Sequence, residues 1–248
     1  MKNIITIATL LAAGTLVGNA EVTIWKEAPT TASGSNVASW DVTNSGLTWG
    51  TSSGESVVFT VNYQTLSTDN SYALFSMKDV TYNGLAAVAI KDENLIFENW
   101  KDNTPTASAP FSEILATKDL TFVISRPTAA MTMDAIMLKV YADGNFDSEV
   151  ATLKGKTNLF FSGKSWTQLN FGGSTAGYTN PVGNVIPANG NAAEFGLLSA
   201  GYTAGAQVTT DELKKYYASV VPEPSSFGLL AGLGALALAG ARRRRSRK

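Results

Sequence analysis

The last 28 residues, Val221 to Lys248, bound everything else this chain can fold. Pro222 and Pro224 flank Glu223, the fifteen residues from Phe227 to Ala241 carry no charge, and six of the final seven residues are cations. Proline lacks an N–H, fixes its own φ and pushes the preceding residue away from helix, so 221–224 is extended. The apolar run contains Gly228, Gly232, Gly234 and Gly240, which make a poor soluble helix. A buried C-terminal helix with a solvated basic tail therefore fits it less well than a membrane segment does. As a helix the run is about 22 Å long. That is short of the ~30 Å hydrocarbon core, so it spans with snorkelling arginines and local thinning. Arg242, Arg243, Arg244 and Arg245 then stay on the cytoplasmic side, and everything before Pro222 lies outside.

The other end points the same way. Lys2 precedes an apolar stretch from Ile4 to Val17, and Gly18-Asn19-Ala20 places small residues at −3 and −1 of a cleavage site. Residues 1–20 read as a secretory signal peptide, and the mature chain begins at Glu21. A spanning N-terminal helix is the alternative. The division predicted is 1–20 signal peptide, 21–220 one domain, 221–248 tail.

The absence of cysteine means that this domain holds together by core burial rather than disulfides. The absence of histidine removes the commonest general base and the commonest zinc ligand. Of the 19 Lys and Arg, six lie in the tail and one is Lys2, which leaves 12 between Glu21 and Val221. Of the 20 acids only Glu223 lies outside that span, which leaves 19 and a net charge of −7. Such a domain disfavours nucleic acid and anionic membrane surfaces.

Its pattern is that of a β-sandwich. Val57, Phe59, Val61 and Tyr63 alternate with Val58, Thr60 and Asn62. Strand-length runs follow at Ser71–Met77, Leu85–Ile90, Leu95–Trp100, Leu120–Ser125, Ala135–Ala142, Asn158–Ser162, Trp166–Phe171 and Glu194–Leu198. Asn83-Gly84 and Asp143-Gly144 read as hairpin turns, and Lys91 to Asn94 as a four-residue connection. One helix is predicted from Thr210 to about Ser219. Thr209 and Glu212 form its capping box, Val208 and Leu213 its staple, and Leu213, Tyr216 and Tyr217 its buried face.

Two resemblances follow from these residues. The tripartite end resembles the PEP-CTERM sorting signal of bacterial exported proteins. That resemblance implies an exosortase that recognises Pro222, Glu223 and Pro224, removes the tail and passes the protein towards the surface or extracellular matrix. The same signal also ends some proteins described as ice-binding. The middle of the chain resembles the concanavalin A-like jelly roll in its laminin-G-like form. Leu138 to Gly144, Trp166 to Gly173 and Glu194 to Ser219 carry that likeness. The Trp-His pair usual before the "YvDG" strand is missing, with Asp134-Ala135 in its place.

Glycoside hydrolases share that fold and need paired carboxylates. Their Glu-x-Asp-x-x-Glu pattern is absent, and neither Asp92-Glu93 nor Asp147-Ser148-Glu149 replaces it. No Ser nucleophile has a histidine base. The expectation is a non-enzymatic exported protein without cofactor, with export machinery and exosortase as partners. Calcium is a minor option at Asp143 and Asp102, by analogy with laminin-G-like domains. The alternative reading is a carbohydrate-binding module that contacts polysaccharide through Asn99, Trp100 and Asp102. Flat Thr-x-Thr ladders, which would favour ice binding, do not repeat here.

Overall fold

The computed structural model describes residues 21–25, 38–47, 55–66, 72–79, 86–99, 107–126, 137–154, 166–171 and 196–221. Within them the chain forms two antiparallel sheets and one helix. One sheet contains β1 (Thr23–Ile24), β12 (Leu197–Thr203), β3 (Glu55–Asn62), β8 (Asp119–Arg126), β9 (Met137–Ala142) and β10 (Ala151–Lys154), in that order. The other contains β2 (Ala38–Asp41), β11 (Trp166–Phe171), β4 (Tyr72–Asp79), β5 (Ala86–Lys91), β6 (Asn94–Asn99) and β7 (Ala107–Pro110). Helix α1 spans Thr210–Val220.

Aromatic residues join the sheets. Phe59 of β3 stacks on Phe122 of β8 at 4.8 Å and on Phe75 of β4 at 5.4 Å. It also meets Phe171 of β11 edge-on at 5.6 Å. Val57, Phe59 and Val61 face this core together with Phe122, Ile124, Leu138 and Val140. The period-two pattern of β3 is present, but its second face is buried too, and Glu55 to Val61 are all buried. The cause is α1, which lies on the outer face of this sheet. Val58, Val123 and Tyr141 below it pack against Val208, Leu213, Tyr216 and Phe146. Thr60 stays buried because its hydroxyl bonds Thr121 at 3.0 Å and Tyr216 at 3.4 Å.

The helix begins as its sequence directs. Thr209 Oγ accepts from Glu212 N, and the Glu212 carboxylate accepts from Thr209 N at 2.8 Å, which completes the capping box. Val208 and Leu213 share one apolar cluster, as a staple requires.

Two connections and one strand differ from the sequence pattern. Lys91 pairs with Asn94, so the connection between β5 and β6 is a two-residue loop. Asp92 and Glu93 both take positive φ, 49° and 63°, the type I′ geometry that suits the twist of a hairpin. Asp143-Gly144 does turn, with φ of 53° and 74° and a bond from Asn145 N to Ala142 O. It is not a tight hairpin, because five further residues intervene before Val150 N returns to Val140 O and Ala151 pairs with Val140. Finally, β12 starts at Leu197 and runs to Thr203, later and longer than the Glu194–Leu198 run. Strands β1, β2, β7 and β10 are short and carried no clear signal. Asn83-Gly84 and Asn158–Ser162 lie outside the described residues.

Candidate functional site

A concavity among the described residues lies where the two sheets' edges meet. Strand β1 is the edge of one sheet and β2 the edge of the other. Between them is an open cleft of about 810 Å³, lined by Trp25, Trp40 and Tyr202 and by Ser39, Asp41, Thr43 and Asn44 among others.

Its aromatic wall is assembled from three strands. Trp25, just past β1, is anchored by its N–H to Ala200 O at 2.9 Å. Its ring stacks parallel on Trp40 of β2 at 5.6 Å and 5°, and on Phe171 of the core at 5.7 Å. Trp40 in turn meets Tyr202 of β12 at 5.2 Å, tilted by 52°, so the wall turns a corner there. All three lining rings are half-buried and backed by the core. The rings hold one another and the core in a fixed arrangement.

The polar wall belongs to β2 and the turn after it. Ser39 Oγ bonds Asn170 at 2.9 Å. Asp41 Oδ1 accepts from Thr43 Oγ at 2.6 Å and from Thr43 N at 2.9 Å. The Thr43 hydroxyl, followed by its backbone N–H, holds the Asp41 carboxyl below its ordinary value, against a slight upward push from burial. Both bonds fall on Oδ1, and Oδ2 takes none among the described residues. Asp41, Thr43 and Asn44 are exposed. The cleft thus offers aromatic surface beside a carboxylate, a hydroxyl and an amide.

A second depression of about 640 Å³ lies between the β5–β6 turn and the segment around Phe111. It is lined by Tyr63, Asp92, Glu93 and Phe111, and Phe111 belongs to the core. It lacks the triple aromatic wall of the first.

The residues singled out from sequence are not brought to the cleft. Asn99 ends β6, paired with Ala86, while Trp100 and Asp102 lie outside the described residues. Pro222, Glu223, Pro224 and Arg242 to Arg245 lie outside them as well. Asp143 acts as a clasp. Its Oδ1 accepts from Lys118 N at 2.7 Å, and its Oδ2 from Thr117 N at 2.9 Å and Thr117 Oγ at 2.8 Å. Burial pushes its carboxyl up, but these bonds outweigh that and hold it below its ordinary value. Among the described residues no three acidic side chains gather as metal ligands. Asp147 pairs with Lys214 at 3.0 Å and Glu149 with Lys139 at 2.5 Å, so the two acids serve separate surface ion pairs. In the sequence Trp40 flanks a Gly/Thr-rich loop and Trp25 lies near the expected start of the mature chain. Their meeting depends on two edge strands of two or four residues, which no periodicity announces.

Residues 220–245 match the PEP-CTERM protein-sorting motif. Among the described residues no helix is long and apolar enough to cross a membrane. No curated protein matches the chain. Among solved structures it is similar to Trypanosoma rangeli sialidase in complex with 2,3-difluoro-KDN, at 12% identity and a TM-score of 0.43 over 73% of this chain and 25% of that one. It is also similar to alginate lyase AlgAT5 of polysaccharide lyase family 7, at 12% identity and 0.32 over 69% and 61%. The botulinum neurotoxin serotype D/C binding domain gives 14% and 0.38 over 68% and 37%. The chain spans about a quarter of the sialidase and less than two thirds of the other two. At these TM-scores none of them assigns an activity to it.

Proposed function

We propose that this is an exported, non-enzymatic protein delivered to the cell surface or extracellular matrix by its C-terminal signal. The observation that carries the reading is the sorting-motif match at 220–245. Residues 1–20 direct export and are removed. Residues 21–220 fold as a jelly roll of the concanavalin A-like, laminin-G-like kind. The apolar run after Pro224 holds the precursor in the membrane, with Arg242 to Arg245 on the cytoplasmic side. An exosortase grips Pro222, Glu223 and Pro224 and removes the tail.

Glu223 is the one charge between Lys215 and the arginines, so it is the polar handle for the enzyme. Glu223→Ala leaves the domain folded and the protein uncleaved in the membrane fraction. The measurement is membrane against surface fractions in a host with its own exosortase. Release of Glu223→Ala at the wild-type level overturns the sorting reading. Mass spectrometry of surface material is expected to find Glu21 as the first residue and no peptide from 226–248.

The absence of histidine and the pairing of Asp147 and Glu149 into separate ion pairs support a non-enzymatic role. A second reading, a carbohydrate-binding module, is favoured by the Trp25–Trp40–Tyr202 cleft with its polar wall. A glycan array probed with the full chain tests it.

A further inference from the structure

We infer that the cleft between β1 and β2 is a binding site for a neutral hexopyranose chain, with Trp40 and Tyr202 as its aromatic wall, Trp25 backing Trp40, and Asp41 and Asn44 as its polar contacts. The inference rests on the carbohydrate-binding reading and assigns it a place and a ligand chemistry.

The size fits a chain rather than one sugar. About 810 Å³ falls in the range of roughly 300–1,000 Å³ typical of sites for drug-sized molecules, enough for about two or three linked rings. The wall chemistry fits a sugar rather than a lipid or an apolar peptide. A pyranose with equatorial hydroxyls presents C–H groups on its ring faces and hydroxyls around its rim. The C–H faces suit indole and phenol rings, and the rim hydroxyls need acceptors and donors. Here the rings that face the cleft come from β2 and β12, with Trp25 stacked between Trp40 and Phe171, and the acceptor and donor follow on β2 and its turn. The rings already stack on one another and on Phe171, so binding freezes little side-chain motion.

Charge selects among polysaccharides. Asp41 is exposed and held ionised by Thr43, with its Oδ2 left to accept a sugar hydroxyl. It stands in a domain of net charge −7, taken from 12 cations and 19 acids between Glu21 and Val221. Uronate or sulfated polymers would bring their anions against that carboxylate. A neutral chain meets no such repulsion.

The test uses the full-length chain in a zwitterionic, sugar-free detergent, titrated with cellohexaose and with a hexameric oligoguluronate by calorimetry and tryptophan fluorescence. Wild type is expected to bind cellohexaose and not the uronate. Trp40→Ala weakens cellohexaose by about tenfold or more. Because Trp40 also packs on Trp25, its circular dichroism and melt are recorded alongside. Asp41→Asn and Asn44→Ala alter exposed side chains only. Asp41→Asn, which removes the charged acceptor, weakens cellohexaose by about threefold to tenfold but gains measurable uronate binding, and Asn44→Ala weakens cellohexaose as well. If cellohexaose affinity is the same in wild type, folded Trp40→Ala and Asn44→Ala, the cleft assignment is overturned while a carbohydrate-binding role elsewhere stands. If neither cellohexaose nor any glycan on the array binds the wild type, both fall together.

Discussion

The hydroxyl of Tyr217 donates to Oδ2 of Asp119 across 2.8 Å, while Oδ1 of that buried carboxylate meets no donor among the described residues. Burial pushes the Asp119 carboxyl up, the Tyr217 bond pulls it part of the way back, and nearby Asp143 adds to the rise. A carboxyl raised in the folded state contributes stability that is complete below its unfolded value near 3.8, and loses it as pH climbs through the folded value. Asp119→Asn keeps an acceptor for Tyr217 and removes the charge. Urea denaturation at pH 4 and pH 7 is therefore expected to show the variant gaining on wild type as pH rises. An identical gap at both pH values refutes this account.

Asp143 has the opposite slope. Its carboxyl is lowered, so its contribution is present above the unfolded value and lost as pH falls through the folded one. Asp143→Ala frees three backbone N–H groups at 117–119 and is expected to cost about 2–3 kcal/mol at pH 7, with the cost shrinking at acid pH. Melts in calcium and in chelator are expected to differ little, because donors already surround this carboxylate. A large calcium-dependent rise in Tm that Asp143→Ala abolishes would place a cation there instead.

Glycine is required at two contacts of the helical face. A Cβ at Gly144, where φ is +74°, would lie 2.5 Å from the Tyr217 ring. A Cβ at Gly201 would lie 2.6 Å from Val22 and 3.0 Å from the Thr23 carbonyl. Gly144→Ala is expected to destabilise by about 1–3 kcal/mol. Gly201→Ala pushes β1 off its sheet and takes Trp25 with it. The readout is a red shift of tryptophan emission together with weaker cellohexaose binding.

Removing the cap tests how far α1 depends on its start. Thr209→Ala is expected to cost about 1 kcal/mol. Adding Glu212→Ala costs less than a second full increment, since both side chains serve the same box.

What could be read from sequence follows the range of the interactions involved. The helix and its staple depend on residues within five positions of one another, so Thr209, Glu212 and Leu213 announced them. Strands β3 and β8 show runs of β-branched and aromatic residues because they are central. The burial of both faces of β3 was not legible, since it depends on a helix 150 residues later. The cleft was missed for a similar reason. Trp25 and Trp40 meet only because β12 holds β1 at one edge and β11 holds β2 at the other. The type I′ turn at Asp92-Glu93 was misjudged because Glu is a poor resident of positive φ, and only the Lys91–Asn94 pairing reveals it.

The last turn of α1 closes with Val221 N bonded to Tyr217 O, and Pro222 follows at once. The sorting motif begins at residue 220, inside the last turn of the helix. Tension on the tail therefore reaches the helix directly, at one end, as a peeling load. Bonds met in that way break one after another, starting with Val221–Tyr217 and then Tyr217–Asp119, rather than sharing the force as strands sheared along their length do. A pulling experiment through the tail is therefore expected to open this domain first at its C-terminal turn, before the sheets beneath.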